Sequence, residues 1–310
     1  MEMIHEAGRY VDTVKRVCGA VGEDVTFRGT VHRVRDMSDF AFVIMRVERG
    51  LIQCTFQGDE IGGIARSEIK DAMVLEVTGK VHEEPRAERH NTSRHLNEYI
   101  GLDFEMAYID SMYDVMEMET GMLKYVMNYV KEHCPEEIAM LNVEIPEIKE
   151  IPTIRFHEAK QIMEEKYGHK SKNRYDLNPD EEVLLCQWAK EEHDSDFVFV
   201  THFPSAKRPF YAMDDPEDPK LALSFDLLFR GLEITTGGQR IHDYQEQMDK
   251  LAARKMNAEL FESFTMLHKY GMPPHGGLGI GLERLTMQLL KLNNVRDASM
   301  FPRDMNRLEP

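Results

Sequence analysis

The stretch Gly279-Ile280-Gly281-Leu282-Glu283-Arg284, near the end of the 310-residue sequence, decides how the chain is read. With Gly276 and Gly277 it forms a glycine-rich turn that lets the backbone pass close to a ligand, and it opens a helix carrying Arg284. A guanidinium is a planar fork suited to phosphate. Two further segments strengthen that reading. Arg86-Ala87-Glu88-Arg89-His90-Asn91-Thr92-Ser93-Arg94-His95-Leu96-Asn97-Glu98-Tyr99 supplies arginines, and Glu233-Ile234-Thr235-Thr236-Gly237-Gly238-Gln239-Arg240 supplies an acid and another guanidinium. Polyphosphate chemistry needs cations on the phosphates, acids to hold a metal and a platform for a base, and these segments carry all three.

Composition bounds the alternatives. Hydrophobic residues at 42% and charged residues at 30% describe a globular chain with room for two cores. A net charge of −17 argues against a protein that coats nucleic acid non-specifically. The sign reverses locally: Arg28, Arg33, Arg35, Arg46 and Arg49 outnumber Asp36, Asp39 and Glu48, so an RNA-binding face belongs there. Cys18, Cys54, Cys134 and Cys186 lack metal-ligand spacing and read as reduced core thiols of a cytoplasmic protein. The first residues lack the basic start and apolar run of a signal peptide, and no apolar run reaches membrane-spanning length.

The pattern along the chain predicts two domains, 1–84 and 85–310. A short helix over 7–19 precedes strands near 24–35, 39–48, 51–57 and 73–82, with a helical excursion near 64–71; this suits a five-stranded barrel of the OB type. Such a barrel presents a strand face to single-stranded nucleic acid. Beyond residue 85, strands over 93–108, 196–202, 208–213 and 222–235 mix with helices over 112–133, 156–167, 180–192, 241–252, 256–270 and 281–292. Without strict βαβ alternation this predicts an α+β layer on an antiparallel sheet with flanking helices.

These segments, in this order, resemble the aspartyl-, asparaginyl- and lysyl-type class II aminoacyl-tRNA synthetases, most closely the archaeal-type aspartyl branch. The resemblance spans nearly the whole chain. It implies ATP and Mg²⁺ as cofactors, aspartate and tRNA as partners, cytoplasmic work and a homodimer. PRAERHNTSRHLNEY resembles motif 2. Arg94 and His95 line the loop between the two strands of that segment; by the resemblance Arg86 grips the α-phosphate with Glu88 beside it, His95 lies near the outer phosphates, and Tyr99 stacks on adenine. LSFDLLFRGLEITTGGQRIHDY resembles the metal and amino-acid segment. It implies Asp226, Glu233 and Thr236 at the metal, and Arg240 on the substrate's side-chain carboxylate. PPHGGLGIGLERL resembles motif 3, placing Arg284 on the γ-phosphate and His275 near the amino acid. In the barrel, the resemblance implies that Phe42 stacks on an anticodon base whose edges Arg35 and Gln53 read; a generic barrel strand would instead place Phe42 in its core.

One departure stands out. The last barrel strand, through Val81-His82-Glu83-Glu84, runs straight into Pro85-Arg86-Ala87-Glu88, where the family carries motif 1 and a substrate loop. Such a junction resembles an in-frame deletion, leaving the class II domain incomplete. Lost motif 1 implies weakened activation and a weakened dimer. The tRNA acceptor is aspartate's, with the asparagine acceptor as a second substrate left open. The rival readings are an asparagine–tRNA ligase, an asparagine synthetase-like paralogue, and a tRNA-binding protein without catalysis.

Overall fold

The computed structural model describes residues 13–36, 40–48, 50–82, 93–96 and 98–303. These fall into two compact units, one holding the described residues through Glu98 together with those from Phe301, the other Tyr99–Met300.

In the first unit, β1 (Asp24–Asp36), β2 (Phe40–Val47), β3 (Gly50–Gln57) and β6 (Val74–Lys80) form one antiparallel sheet in the order β3-β2-β1-β6. The two-residue strands β4 (Glu60–Ile61) and β5 (Ile64–Ala65) pair separately, before a 3-10 turn at Arg66–Glu68. The expected five-stranded barrel is therefore a half-barrel of four long strands plus a small ribbon. Alternation on β2 sends Ala41, Val43, Met45 and Val47 into the core with Phe27, Val31 and Ile69. Helix α1 (Thr13–Cys18) precedes the sheet.

The second unit is built on a six-stranded sheet. Its strands are β7 (Gly101–Ala107), β8 (Thr153–Arg155), β9 (Phe197–Thr201), β10 (Ser224–Phe229), β11 (Leu232–Gln239) and β12 (His275–Gly281), in the order β7-β12-β11-β10-β9-β8. All pairings are antiparallel except β8 with β9. Phe197, Phe199, Phe225, Leu227, Leu278 and Ile280 face a core under α2 (Met112–His133). That helix starts where Ser111 accepts from Tyr113 N and Asp114 accepts from Ser111 N, a reciprocal cap. It buries Val115, Met116, Leu123 and Met127 along one stripe. A short α3 (Pro135–Leu141) follows. On the opposite face, Val198, Val200 and Leu228 pack against α4 (Phe156–Tyr167) and α5 (Pro179–His193). Helices α6 (Tyr244–Ala253), α7 (Glu262–Lys269) and α8 (Leu282–Leu289) complete the unit.

Several expected elements differ. The strand read over 93–108 begins only at Gly101. Residues 208–213 form no strand; Pro209 cannot donate to a ladder, and only an isolated bridge joins Ala212 to Arg240. The run 222–235 is a hairpin, not one strand, reversing at Arg230 and Gly231, both with positive φ (48° and 91°). The glycine-rich run of 276–281 is not a turn but the strand β12, held between β7 and β11. Of the cysteines, Cys186 is buried, Cys54 and Cys134 are half-buried, and Cys18 is exposed rather than in a core.

Candidate active site on the β10–β12 face

The face carrying α4 and α5 at one end of the sheet is floored by glycine at the other. Alternation puts His275, Gly277, Gly279 and Gly281 of β12 on this face, while Leu278 and Ile280 point into the core. Glycine is required at 277, where a Cβ would lie 2.4 Å from the Phe104 carbonyl oxygen and closer still to the Glu105 carboxylate. A Cβ at Gly279 would likewise lie 2.8 Å from the Asp103 carboxylate, so acids of β7 lie across this floor.

A β-bulge builds the acidic side of the site. Pairing runs Asp226 to Thr236 and Leu227 to Thr235, then shifts to Leu228 with Glu233. Ile234 is the extra residue, so Ile234 and Thr235 both face the core side. In a regular strand Glu233 and Thr236, three apart, would point to opposite faces. The bulge turns both to the site face, where the Thr236 hydroxyl donates to Glu233 Oε1 at 3.0 Å. Asp226 lies across from Thr236 on the same face.

Arg284, in the first turn of α8, donates from Nη1 to the Glu233 carbonyl oxygen at 2.9 Å and lies 3.6 Å from Glu233 Oε1. Glu233 is pushed up to about 7, first by removal from water and then by the Asp226 carboxylate, against the pull of Arg284. Asp226 is buried and gripped by both terminal nitrogens of Arg208, at 2.9 and 2.8 Å. Arg208 also lies over the Phe203 ring, 3.8 Å from its centroid. Asp176 is raised too, mainly by burial and then by Asp226, so an excess of carboxylate gathers here.

Arg240, at the end of β11, donates from Nε to Glu105 Oε1 at 2.8 Å and lies over the Tyr211 ring. Its backbone N–H donates to the carbonyl oxygen of His275. The His275 ring approaches the Pro273 carbonyl oxygen at 3.0 Å, and burial lowers its pKa. Tyr99 is exposed and precedes Ile100, whose N–H donates to Glu283 and whose carbonyl accepts from Leu282 N. Those bonds bring Tyr99 to the turn of α8 that carries Arg284.

Asp226, Glu233, Thr236 and Arg284 thus meet in one cluster, with Arg240 and His275 joined beside them. Arg86 and Glu88 lie outside the described residues. Arg94 and His95 belong to the first compact unit. On its sheet Phe42 is half-buried on the outer face, edge-on to Phe40 at 5.1 Å, not in the core. Arg35 pairs with Phe42 through the backbone, and exposed Gln53 pairs with Ile44. Sequence reading missed Arg208 and Glu105. The signal for Arg208 was the basic pair before Pro209, which breaks a strand; Glu105 carried none.

A hard cation suits this chemistry. Asp226, Glu233 and Thr236 offer oxygen only, and Mg²⁺ is ordinarily held by one or two carboxylates with substrate phosphates completing its shell. Among the described residues no three His, Cys, Asp or Glu side chains form a ready-made cage. Arg208 occupies both Asp226 oxygens, which leaves Glu233 the accessible carboxylate of the pair.

Comparison with known proteins agrees with this architecture. The profile of class II tRNA synthetases (D, K and N) matches residues 76–305, and that of the OB-fold nucleic acid binding domain matches residues 25–98. The chain belongs to the class II tRNA synthetases of the D, K and N group. The aspartate–tRNA(Asp/Asn) ligase of Deinococcus radiodurans is 49% identical over 231 residues, covering 73% of this chain and 53% of that protein. The Aeropyrum pernix aspartate–tRNA(Asp/Asn) ligase is 46% identical, covering 73% and 51%. The aspartate–tRNA(Asp) ligase of Pyrococcus furiosus is 39% identical with the same coverage. The chain spans about half the length of these curated relatives. Among solved structures, aspartyl-tRNA synthetase from Entamoeba histolytica superposes with a TM-score of 0.67 at 19% identity, covering 100% of this chain and 94% of that one. Asparaginyl-tRNA synthetase from Pyrococcus horikoshii, complexed with asparaginyl-adenylate, gives 0.64 at 21%, covering 94% and 97%. Among the described residues, no helix is long and apolar enough to cross a membrane.

Proposed function

We propose that the β10–β12 face binds Mg·ATP and aspartate, and that the chain is an aspartate–tRNA ligase by descent. The observation that carries this reading is the Glu233–Thr236–Arg284 cluster, an acid, a hydroxyl and a guanidinium gathered by the bulge and the start of α8. The aspartate α-carboxylate attacks the α-phosphorus, pyrophosphate leaves and aspartyl-adenylate forms. A hydroxyl of the tRNA terminal ribose then attacks the carbonyl, and AMP leaves. A bound magnesium ion supplies neutralisation of the polyphosphate charge; Glu233 would hold it, with Thr236 alongside and Asp226, gripped by Arg208, adding negative charge behind them. Arg284 would position the γ-phosphate on this face, and the resemblance gives Arg86 the α-phosphate with Glu88 beside it. Tyr99 offers a ring for adenine.

Arg240 carries the choice of amino acid. Its guanidinium already holds a carboxylate, that of Glu105, and a substrate side-chain carboxylate would take the same fork. That favours aspartate over asparagine. His275 borders the same position. On the first unit, Phe42 with Arg35 and Gln53 would take an anticodon base by stacking and edge contacts. We infer that the chain lacks motif 1 and the substrate loop at the 84–85 junction, and that activation is therefore far weaker than in full-length relatives. The same loss weakens a homodimer.

ATP–pyrophosphate exchange with aspartate and with asparagine tests the reading. Slow exchange confined to aspartate supports it. Exchange confined to asparagine assigns the amide substrate instead. Binding of tRNA without ATP binding identifies a non-catalytic RNA-binding protein.

A further inference from the structure

We propose that Glu119 is a positioning residue for this site: from beneath the sheet it clamps the Ile234–Thr235 bulge and thereby holds Glu233 and Thr236 on the site face. This deepens the proposed nucleotide site and rests on that reading for its effect on ATP.

Glu119 is fully buried on the inner stripe of α2, whose other buried positions include Val115, Met116 and Leu123. Packing alone calls for an aliphatic side chain there. Burying a carboxyl is costly unless a hydrogen bond offsets it. Glu119 makes a short one: the Thr235 hydroxyl donates to Oε1 at 2.6 Å, and among the described residues Oε2 has no hydrogen-bond partner. The strand residues on this side, Leu227, Ile234 and Leu278, carry no charge. The acid is thus spent on one contact, and that contact is with the bulge.

The location gives the contact its consequence. Thr235 lies between the extra residue, Ile234, and Thr236. If its side chain is released, the bulge can slip by one residue, and a one-residue slip sends Glu233 or Thr236 to the opposite face. The clamp on the core side therefore fixes which side chains reach the site, though Glu119 itself touches no substrate.

The test uses the full chain and three variants: Glu119→Leu, Glu119→Gln and Thr235→Val. Amide hydrogen exchange is followed over 232–239 and, as a control, over 197–201, and Mg·ATP affinity is measured on the same samples. Glu119→Leu and Thr235→Val should lower protection about tenfold over 232–239 with little change over 197–201. Glu119→Gln, which keeps the contact, should stay within about twofold of the parent. ATP affinity should follow the same ranking. Equal loosening of both segments, or a Gln variant as loose as the Leu variant, overturns the proposal. If Glu119→Leu fails to fold, Thr235→Val breaks the same bond and decides alone. A parent chain that binds no ATP refutes the nucleotide reading, while the exchange pattern still decides the clamp.

Discussion

Arg208 holds Asp226 with two guanidinium nitrogens, at 2.9 and 2.8 Å, in a pocket where both side chains are about nine-tenths buried. A buried pair of this kind is weak evidence for net stability, yet breaking it leaves a charge without compensation. Arg208→Ala should therefore destabilise the second unit by about 3–5 kcal/mol. Urea denaturation followed by tryptophan fluorescence checks this, since Trp188 lies on α5. Arg208→Lys, which cannot fork, should fall between the two.

The Arg240–Glu105 pair makes a prediction about substrate. Glu105 is half-exposed, so removing its charge costs little fold stability. Glu105→Gln should free Arg240 and strengthen aspartate binding a few-fold, whereas Arg240→Ala should weaken it tenfold or more. Equilibrium dialysis with labelled aspartate in the presence of Mg·ATP measures both.

Burial raises Glu119 from 4.5 to about 8 in the folded chain. A carboxyl whose folded pKa lies above its unfolded one contributes stability that is fully present below the unfolded value. It is lost as pH rises through the folded value. Stability should therefore fall between about pH 4.5 and 8, by on the order of a few kcal/mol from this group. Glu119→Gln should flatten that part of the profile in thermal or urea unfolding. Glu233, raised to about 7, adds to the slope with the same sign.

On the half-barrel, Phe42→Ala should leave the sheet folded, because the side chain lies on the outer face rather than among Val43 and Met45. It should weaken binding of an anticodon stem-loop by about 1–3 kcal/mol, the worth of one stacked base. Fluorescence anisotropy with a labelled stem-loop measures the loss, and unchanged affinity removes Phe42 from the interface.

The legible parts of the sequence were those with local cause. Helices 112–133 and 156–167 announced themselves through their apolar pattern. The acid and glycine segments led to the β10–β12 face because each carries its chemistry in adjacent residues. What stayed hidden depended on pairing. Glycines at 276–281 read as a turn because their lack of side chains is a tertiary requirement, set by Glu105 and the β7 backbone. The bulge at Ile234 left no local mark, yet it alone makes Glu233 and Thr236 neighbours. Arg208 lies 18 residues from Asp226, and the basic pair before Pro209 does not say which carboxylate it meets.

The most direct test is calorimetric titration of Mg·ATP into the chain and into Arg284→Ala, with a folding check on each. One ATP site is expected in the parent and at least a tenfold loss of affinity in the variant, because the cation beside Glu233 is gone. A parent that binds no ATP, or a folded variant that binds it equally well, would contradict the assignment of this face as the nucleotide site.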